Sequence, residues 1–173
     1  MAAPRNYWMV NVNPEYYQAT RDRHFDVLGM GKVQKKRVQR MEVGDRVLYY
    51  VSDWQVFAAT ATIDSTYFED HQRVWESFDP QEEFPWRVRL RSNVALKEKE
   101  HVDARLVAPR MQYVRKWVPE QWPLAFLGAL HLVPKEDFFM LEDEMRKRTL
   151  RPRVEVEFRD DARCALDSLP MAR

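Results

Sequence analysis

Tyr7-Trp-Met-Val-Asn-Val-Asn-Pro-Glu15 reads as a strand that stops and turns into a helix. Residues 6–12 alternate, with Trp8, Val10 and Val12 on one face and Tyr7, Met9 and Asn11 on the other. Pro14 has no N–H to give a sheet ladder, but its φ suits the first turn of a helix, and Asn13 is a residue type that caps one. A short helix over 15–21 follows from that pair. Strand into helix, at the very start, sets the expectation of a sheet-based fold with helices beside it.

Working outward, His24-Phe-Asp-Val-Leu-Gly-Met-Gly-Lys32 holds two of the four glycines and reads as a loop. Residues 32–40 then bring Lys32, Lys35, Lys36, Arg37 and Arg40, with Val33, Val38 and Met41 as inward positions. Val43-Gly-Asp-Arg46 is a turn signal before a strand over 47–51, and Ser52-Asp-Trp-Gln55 connects it as a hairpin to a strand over 56–63. The acidic, aromatic stretch 64–83 carries Tyr67, Phe68, Trp75 and Phe78 and is too long for an inert turn. Over 85–91, Trp86, Val88 and Leu90 share one strand face, and Arg87, Arg89 and Arg91 form a basic row on the other. Leu96, Val102, Leu106 and Met111 are the anchors of a mixed region. A strand over 129–133 precedes a helix from Lys135 to about Lys147, where Phe138, Leu141 and Met145 recur at helical spacing. The expected domain is 1–148. The remainder, 149–173, is charged and broken by Pro152 and Pro170, and reads as a mobile tail or an edge strand at Val154–Phe158.

Composition narrows function by exclusion. Lys and Arg total 28 against 27 Asp and Glu, so a massively basic binder is excluded while a local basic face is not. Cys164 is the one cysteine, which excludes an intramolecular disulfide and a Cys-rich zinc site. Histidines 24, 71, 101 and 131 lack metal-ligand spacing, and no phosphate loop, His-Glu-x-x-His or Gly-x-Ser-x-Gly occurs. No cofactor, metal or enzymatic activity is therefore expected. No apolar run approaches the roughly 20 residues of a membrane span, and no hydrophobic leader precedes Tyr7, so no membrane partner and a cytoplasmic location are expected. Aromatic residues make up 13%, and those in loops are the ones available to a ligand.

Three segments in order resemble the EVE domain, a branch of the PUA-like fold related to YTH domains. They are Tyr7–Glu15, then Arg40-Met-Glu-Val-Gly-Asp-Arg-Val-Leu-Tyr-Tyr50, then Trp122-Pro-Leu-Ala-Phe-Leu-Gly128 with Leu132-Val-Pro-Lys-Glu-Asp-Phe138. The resemblance implies an α+β fold, a PUA-like mixed β pseudo-barrel with short helices at its rim. It also implies a DNA- or RNA-binding module that takes a flipped base, methylated or otherwise modified, into an aromatic pocket. Carried onto this chain, the base pocket comprises Asn11 for the base edge, Asn13, the loop residues Phe25, Asp26, Val27 and Leu28, and Trp75 and Phe78 from the long segment. Trp54 in the hairpin is a platform for a neighbouring base. Lys32, Lys35, Lys36 and Arg37 form the expected phosphate cradle. An RNA-binding domain indifferent to modification is the nearest alternative, and a nucleotide-directed hydrolase using His24 or Asp26 is another.

Overall fold

In the computed structural model, which describes residues 6–77 and 79–150, the opening segment forms strand β1 (Tyr7–Val12) and helix α1 (Pro14–Asp22). The Asn13 side chain accepts from the Tyr16 amide at 2.8 Å, which is the expected cap. Strand β2 (Val27–Met30), a 3₁₀ turn at Lys32–Gln34 and the short helix α2 (Lys35–Val38) come next. β3 (Arg46–Val51) and β4 (Val56–Ile63) make the hairpin, and β5 (Phe68–Glu69), β6 (Trp86–Ala95), β7 (Val102–Asp103) and helix α3 (Ala104–Val107) follow. A series of 3₁₀ turns ending at Phe126 leads into β8 (Leu130–Leu132) and the long helix α4 (Lys135–Leu150).

The sheet runs β2-β6-β4-β3-β1-β8, with β5 beside β6 and β7 beside β4. β1 lies parallel to β3, with Trp8 opposite Val47, and the other pairs are antiparallel. Register shifts at Tyr49/Tyr50 and Thr60/Ala61 add local twist. The mixed sheet curls into a half-barrel with short helices around it, as expected. The Arg37 guanidinium donates to the Leu130 carbonyl, so α2 bridges toward β8, the strand at one end of the sheet.

Both faces of β1 are buried. Trp8, Val10 and Val12 join Tyr17, Phe25, Tyr49 and Val88 inside the curl, whereas Tyr7, Met9, Leu48 and Tyr50 pack outside it under Phe126, Phe138, Leu141 and Met145. α4 is seated by buried Glu142, which accepts from the Arg46 guanidinium and from the Thr60 hydroxyl at 2.9 Å. Asp45, in the Gly-Asp turn, is also buried and accepts from the Asn6 amide, the Trp8 indole N–H and the Glu42 amide at 3.1, 3.0 and 3.2 Å.

Four local expectations need correction. The 24–32 segment is a loop only at its start: residues 27–30 pair with β6, Leu28 opposite Val88, because both are apolar and face the inner core. Val33 and Leu106 are exposed, since the 3₁₀ turn and the short α3 turn them away from the sheet. Arg87 does not join a solvent-facing basic row; it is 3% exposed because Gln72, Trp75 and Phe84 lie over it, and Asp70 pairs with it at 3.0 Å. Arg89 and Arg91 are exposed. Phe78 and the 151–173 segment lie outside the described residues.

Candidate functional site

Helix α1 presents two tyrosines in succession, and they divide the candidate residues into two groups. Tyr16 faces β2. Its hydroxyl accepts from the Gly29 amide at 2.9 Å and donates to the Gly29 carbonyl at 2.6 Å, holding the helix against the strand. Burial pushes that hydroxyl's pKa well above the ordinary tyrosine value, so it stays protonated and able to donate. The Trp75 indole stacks on the Tyr16 ring, with centroids 4.8 Å apart and planes within 4°. Its N–H donates to the Thr20 hydroxyl at 2.8 Å, and that hydroxyl in turn donates to the Tyr16 carbonyl at 2.9 Å. Tyr16 and Thr20 are four residues apart, so they lie on one helix face.

The floor of this stack is Gly29. A Cβ there would overlap the indole, so the absent side chain makes the space that the ring fills. Arg87 is the cross-strand partner of Gly29, and its guanidinium lies over the indole at 5.1 Å. It also donates to the Phe84 carbonyl at 3.0 Å, to Asp70 and to the Gln72 carbonyl, so one arginine gathers the covering segment. A small cavity of about 80 Å³ beside the stack is lined by Trp75, Phe84, Arg87, Asp70, Glu82 and Glu83 among others.

Tyr17 leads to the second group. Phe25 (3% exposed) packs against Tyr17 and Tyr49, with centroids 5.8 and 5.4 Å away, inside the curl. Trp54 is 41% exposed in the hairpin and stacks on His101 at 5.9 Å. Burial lowers the His101 pKa and raises that of Tyr17 to about 12. Val27 and Leu28 are buried in β2, and Asp26 pairs with Arg23 at 3.0 Å. Asn11 donates its side-chain amide to the Phe126 carbonyl at 2.7 Å, and Asn13 serves as the cap. Of the residues expected at a base pocket, Trp75 thus lies in the Tyr16 stack and Phe25 and Trp54 in the Tyr17 cluster, Val27 and Leu28 are buried in β2, and Asn11, Asn13 and Asp26 are engaged elsewhere.

The basic cluster follows directly on the Gly29 floor. Lys32, Lys35, Lys36, Arg37 and Arg40 are exposed, and none is paired with a described carboxylate. Lys35 places its ammonium 4.2 Å from the Trp86 ring centre. Beyond α2 a groove of about 530 Å³ opens between Val33 and Arg37 on one side and Tyr113, Trp117, Leu127 and His131 on the other. It adjoins a second hollow of about 230 Å³ that reaches Trp8 and Arg40. Among the described residues neither lining contains a carboxylate. Buried Asp137, from the Glu-Asp-Phe motif, accepts from the Gln112 and Tyr113 amides at 2.8 Å and so sets Tyr113 in the groove wall. The Tyr113 hydroxyl then bonds the His131 ring at 2.8 Å. Tyr16, Thr20, Tyr113 and Trp117 were not legible as site residues, and Arg87 was legible only as a member of a basic row. Only the helical spacing of Tyr16 and Thr20 carried a local signal.

The covering segment has its own electrostatic marker. His71 is exposed and bonds Glu69 at 3.0 Å and Glu83 at 3.2 Å. The Glu69 bond, then the Glu83 bond, raise its pKa above the ordinary 6.5. Because the folded value is raised, this contribution to stability is full below about 6.5 and is lost as pH rises through the folded value. An NMR titration should give a His71 pKa above 6.5 that falls back in a Glu69→Gln, Glu83→Gln double variant.

Comparison with known proteins agrees with this architecture. The YTH domain of Mmi1 has a TM-score of 0.60 at 6% identity, covering 87% of this chain and 94% of its own. The Pho92 YTH domain in complex with m6A also has a TM-score of 0.60, at 12% identity over 84% of this chain and 87% of its own. The YTH domain of Zygosaccharomyces rouxii MRB1, in complex with N6-methyladenosine RNA, has 0.58 at 12% identity, covering 84% and 90%. These likenesses establish a shared fold. A UPF0310 protein of Pyrococcus abyssi is 20% identical over 146 residues, 79% of this chain and 97% of the relative. The EVE domain family model matches residues 6–117, spanning β1 through the Tyr113 turn, and the chain therefore belongs to the EVE domain family.

Proposed function

We propose that this EVE domain binds nucleic acid, taking one unstacked, methylated base at the aromatic site over Gly29 and phosphates along α2, without chemical turnover. The observation that carries the reading is the cluster of five exposed cations, none paired with a described carboxylate, that starts three residues after the Gly29 floor of a ring-lined site. A base that leaves its stack loses contacts that an aromatic face restores, about 1–3 kcal/mol per base. Lysines on exposed turns supply phosphate contacts that position the strand without reading sequence. The solved YTH domains of this fold that hold m6A or N6-methyladenosine RNA support RNA as the ligand and methylated adenine as the base.

A buried methyl contributes about 0.8 kcal/mol, which is roughly a fourfold affinity difference. RNA and DNA oligonucleotides identical except for one adenine N6-methyl group, titrated at fixed salt, should therefore separate by about that factor, with methylated RNA tightest. Equal affinity for all of them rejects base reading and leaves a plain RNA- or DNA-binding module.

A further inference from the structure

The Trp75 indole fills the site rather than bounding it. It has Tyr16 stacked on one face, the bare Gly29 backbone beneath and the Arg87 guanidinium against the ring. Its N–H is bonded to Thr20. A fused five- and six-membered heteroaromatic ring with one edge donor is the description of an indole, and equally of a purine. We propose that the seat now held by Trp75 is the binding site for a purine base, and that Trp75 is an intramolecular stand-in that the base displaces. This rests on the reading of the domain as a base-taking module.

Three features of the covering segment fit a displaceable occupant. Among the described residues from 70 to 85 the chain forms no strand or helix, so displacing them breaks no ladder. Among the described residues its backbone ties are the Asp70 amide to the Pro85 carbonyl at 2.9 Å and the Glu82 amide to the Asp79 carbonyl at 3.0 Å. Its remaining ties converge on one residue, Arg87, which bonds the Asp70 carboxylate and the Gln72 and Phe84 carbonyls, and are completed by exposed side-chain bonds of His71 and Ser77. Its charge completes the mimicry. Asp70 sits on the Arg87 guanidinium, and Glu82 and Glu83 line the adjoining cavity, so carboxylates occupy the surroundings where a bound nucleotide would bring phosphates. A strand carrying phosphates is repelled by this segment until the segment moves, and its departure frees Arg87 for an anion or a base face.

Thr20 then governs which edge is accepted. Its hydroxyl proton is committed to the Tyr16 carbonyl, so toward the ring it acts as an acceptor. The incoming purine must present an N–H there, as the amino group of adenine does and as its N6-methyl form still does.

The test compares wild type, Trp75→Ala and Thr20→Val for binding of adenosine monophosphate and of an unpaired-adenine RNA. Thermal unfolding of each protein confirms that it is folded. Trp75→Ala should bind both at least fivefold more tightly than wild type, and Thr20→Val, which releases the indole but removes the edge acceptor, should not match that gain. In wild type, the indole N–H resonance assigned through Trp75→Phe should lose its protection from solvent exchange as RNA is added. A fall or no change in affinity for folded Trp75→Ala, while wild type still binds RNA, overturns the stand-in and makes Trp75 a wall. A Trp75 N–H that stays protected at saturating RNA overturns it independently of any variant. No RNA binding by wild type or variant overturns the nucleic-acid reading together with the stand-in.

Discussion

Replacing Lys32, Lys35 and Lys36 by Ala together should weaken binding to single-stranded RNA about 100-fold at 0.1 M salt. Each phosphate neutralised on a single strand releases about 0.7 of a counterion, which at that salt is worth about 1 kcal/mol, so three contacts sum to about 3 kcal/mol. The same loss should make the slope of log K against log salt shallower by about 2. Arg37 is left in place because its guanidinium donates to the Leu130 carbonyl, so its removal would disturb the link between α2 and β8 as well as the charge. Lys32 and Lys36 have no such structural task, and Lys35 forgoes only its contact with Trp86. Filter binding or fluorescence anisotropy across a salt series measures both quantities. An unchanged slope in a folded triple variant removes α2 from the phosphate path.

Asp45→Ala should destabilise the domain by about 3 kcal/mol, lowering the Tm by about 10 °C. The carboxylate is 1% exposed and joins three elements: Asn6 at the entry to β1, the Trp8 indole inside the curl, and the Glu42 amide that closes its own turn. Alanine leaves those donors facing a void too small to hydrate them all, and an unsatisfied buried donor costs about 1–3 kcal/mol. Asparagine keeps one oxygen but turns an N–H toward a second donor, so it should not rescue fully. Denaturant unfolding measures the loss. A shift under 1 kcal/mol in Asp45→Ala would show that water replaces the carboxylate.

Asp45 also shows how far local sequence reaches. Gly44-Asp45 is legible as a turn because Gly44 has φ of +95° and a residue able to bond its own turn follows it. That the same carboxylate would reach the Trp8 indole, 37 positions earlier, depends on β1 lying parallel to β3, a pairing that no local pattern encodes. The alternation of β1 likewise identified a strand but described it as two-faced. The apolar run 7–10 is buried on both sides because α4 covers the face that a lone hairpin would leave wet. In α4 itself the spacing of Phe138, Leu141 and Met145 sufficed, since one apolar stripe needs only a surface to cover.

The site was less legible for the same reason. Lys32, Lys35, Lys36 and Arg37 lie within six positions, so their clustering was visible, and their exposure is a property of a short turn. Arg87 sat in an alternating row that looked solvent-facing, and only the approach of Asp70, Gln72 and Phe84 covered it.

By itself the sequence determined strands β1, β3, β4, β6 and β8, the Asn13 cap, the Gly-Asp turn, the basic cluster and the family, because each is set by neighbours a few residues apart. The tertiary structure decided that Gly29 faces Arg87 across two strands, that Tyr16 and Thr20 look down on that pair, and that Trp75 fills the space between them. Those relations join residues from 16 to 87, and they exist only once sheet register has brought the strands into contact.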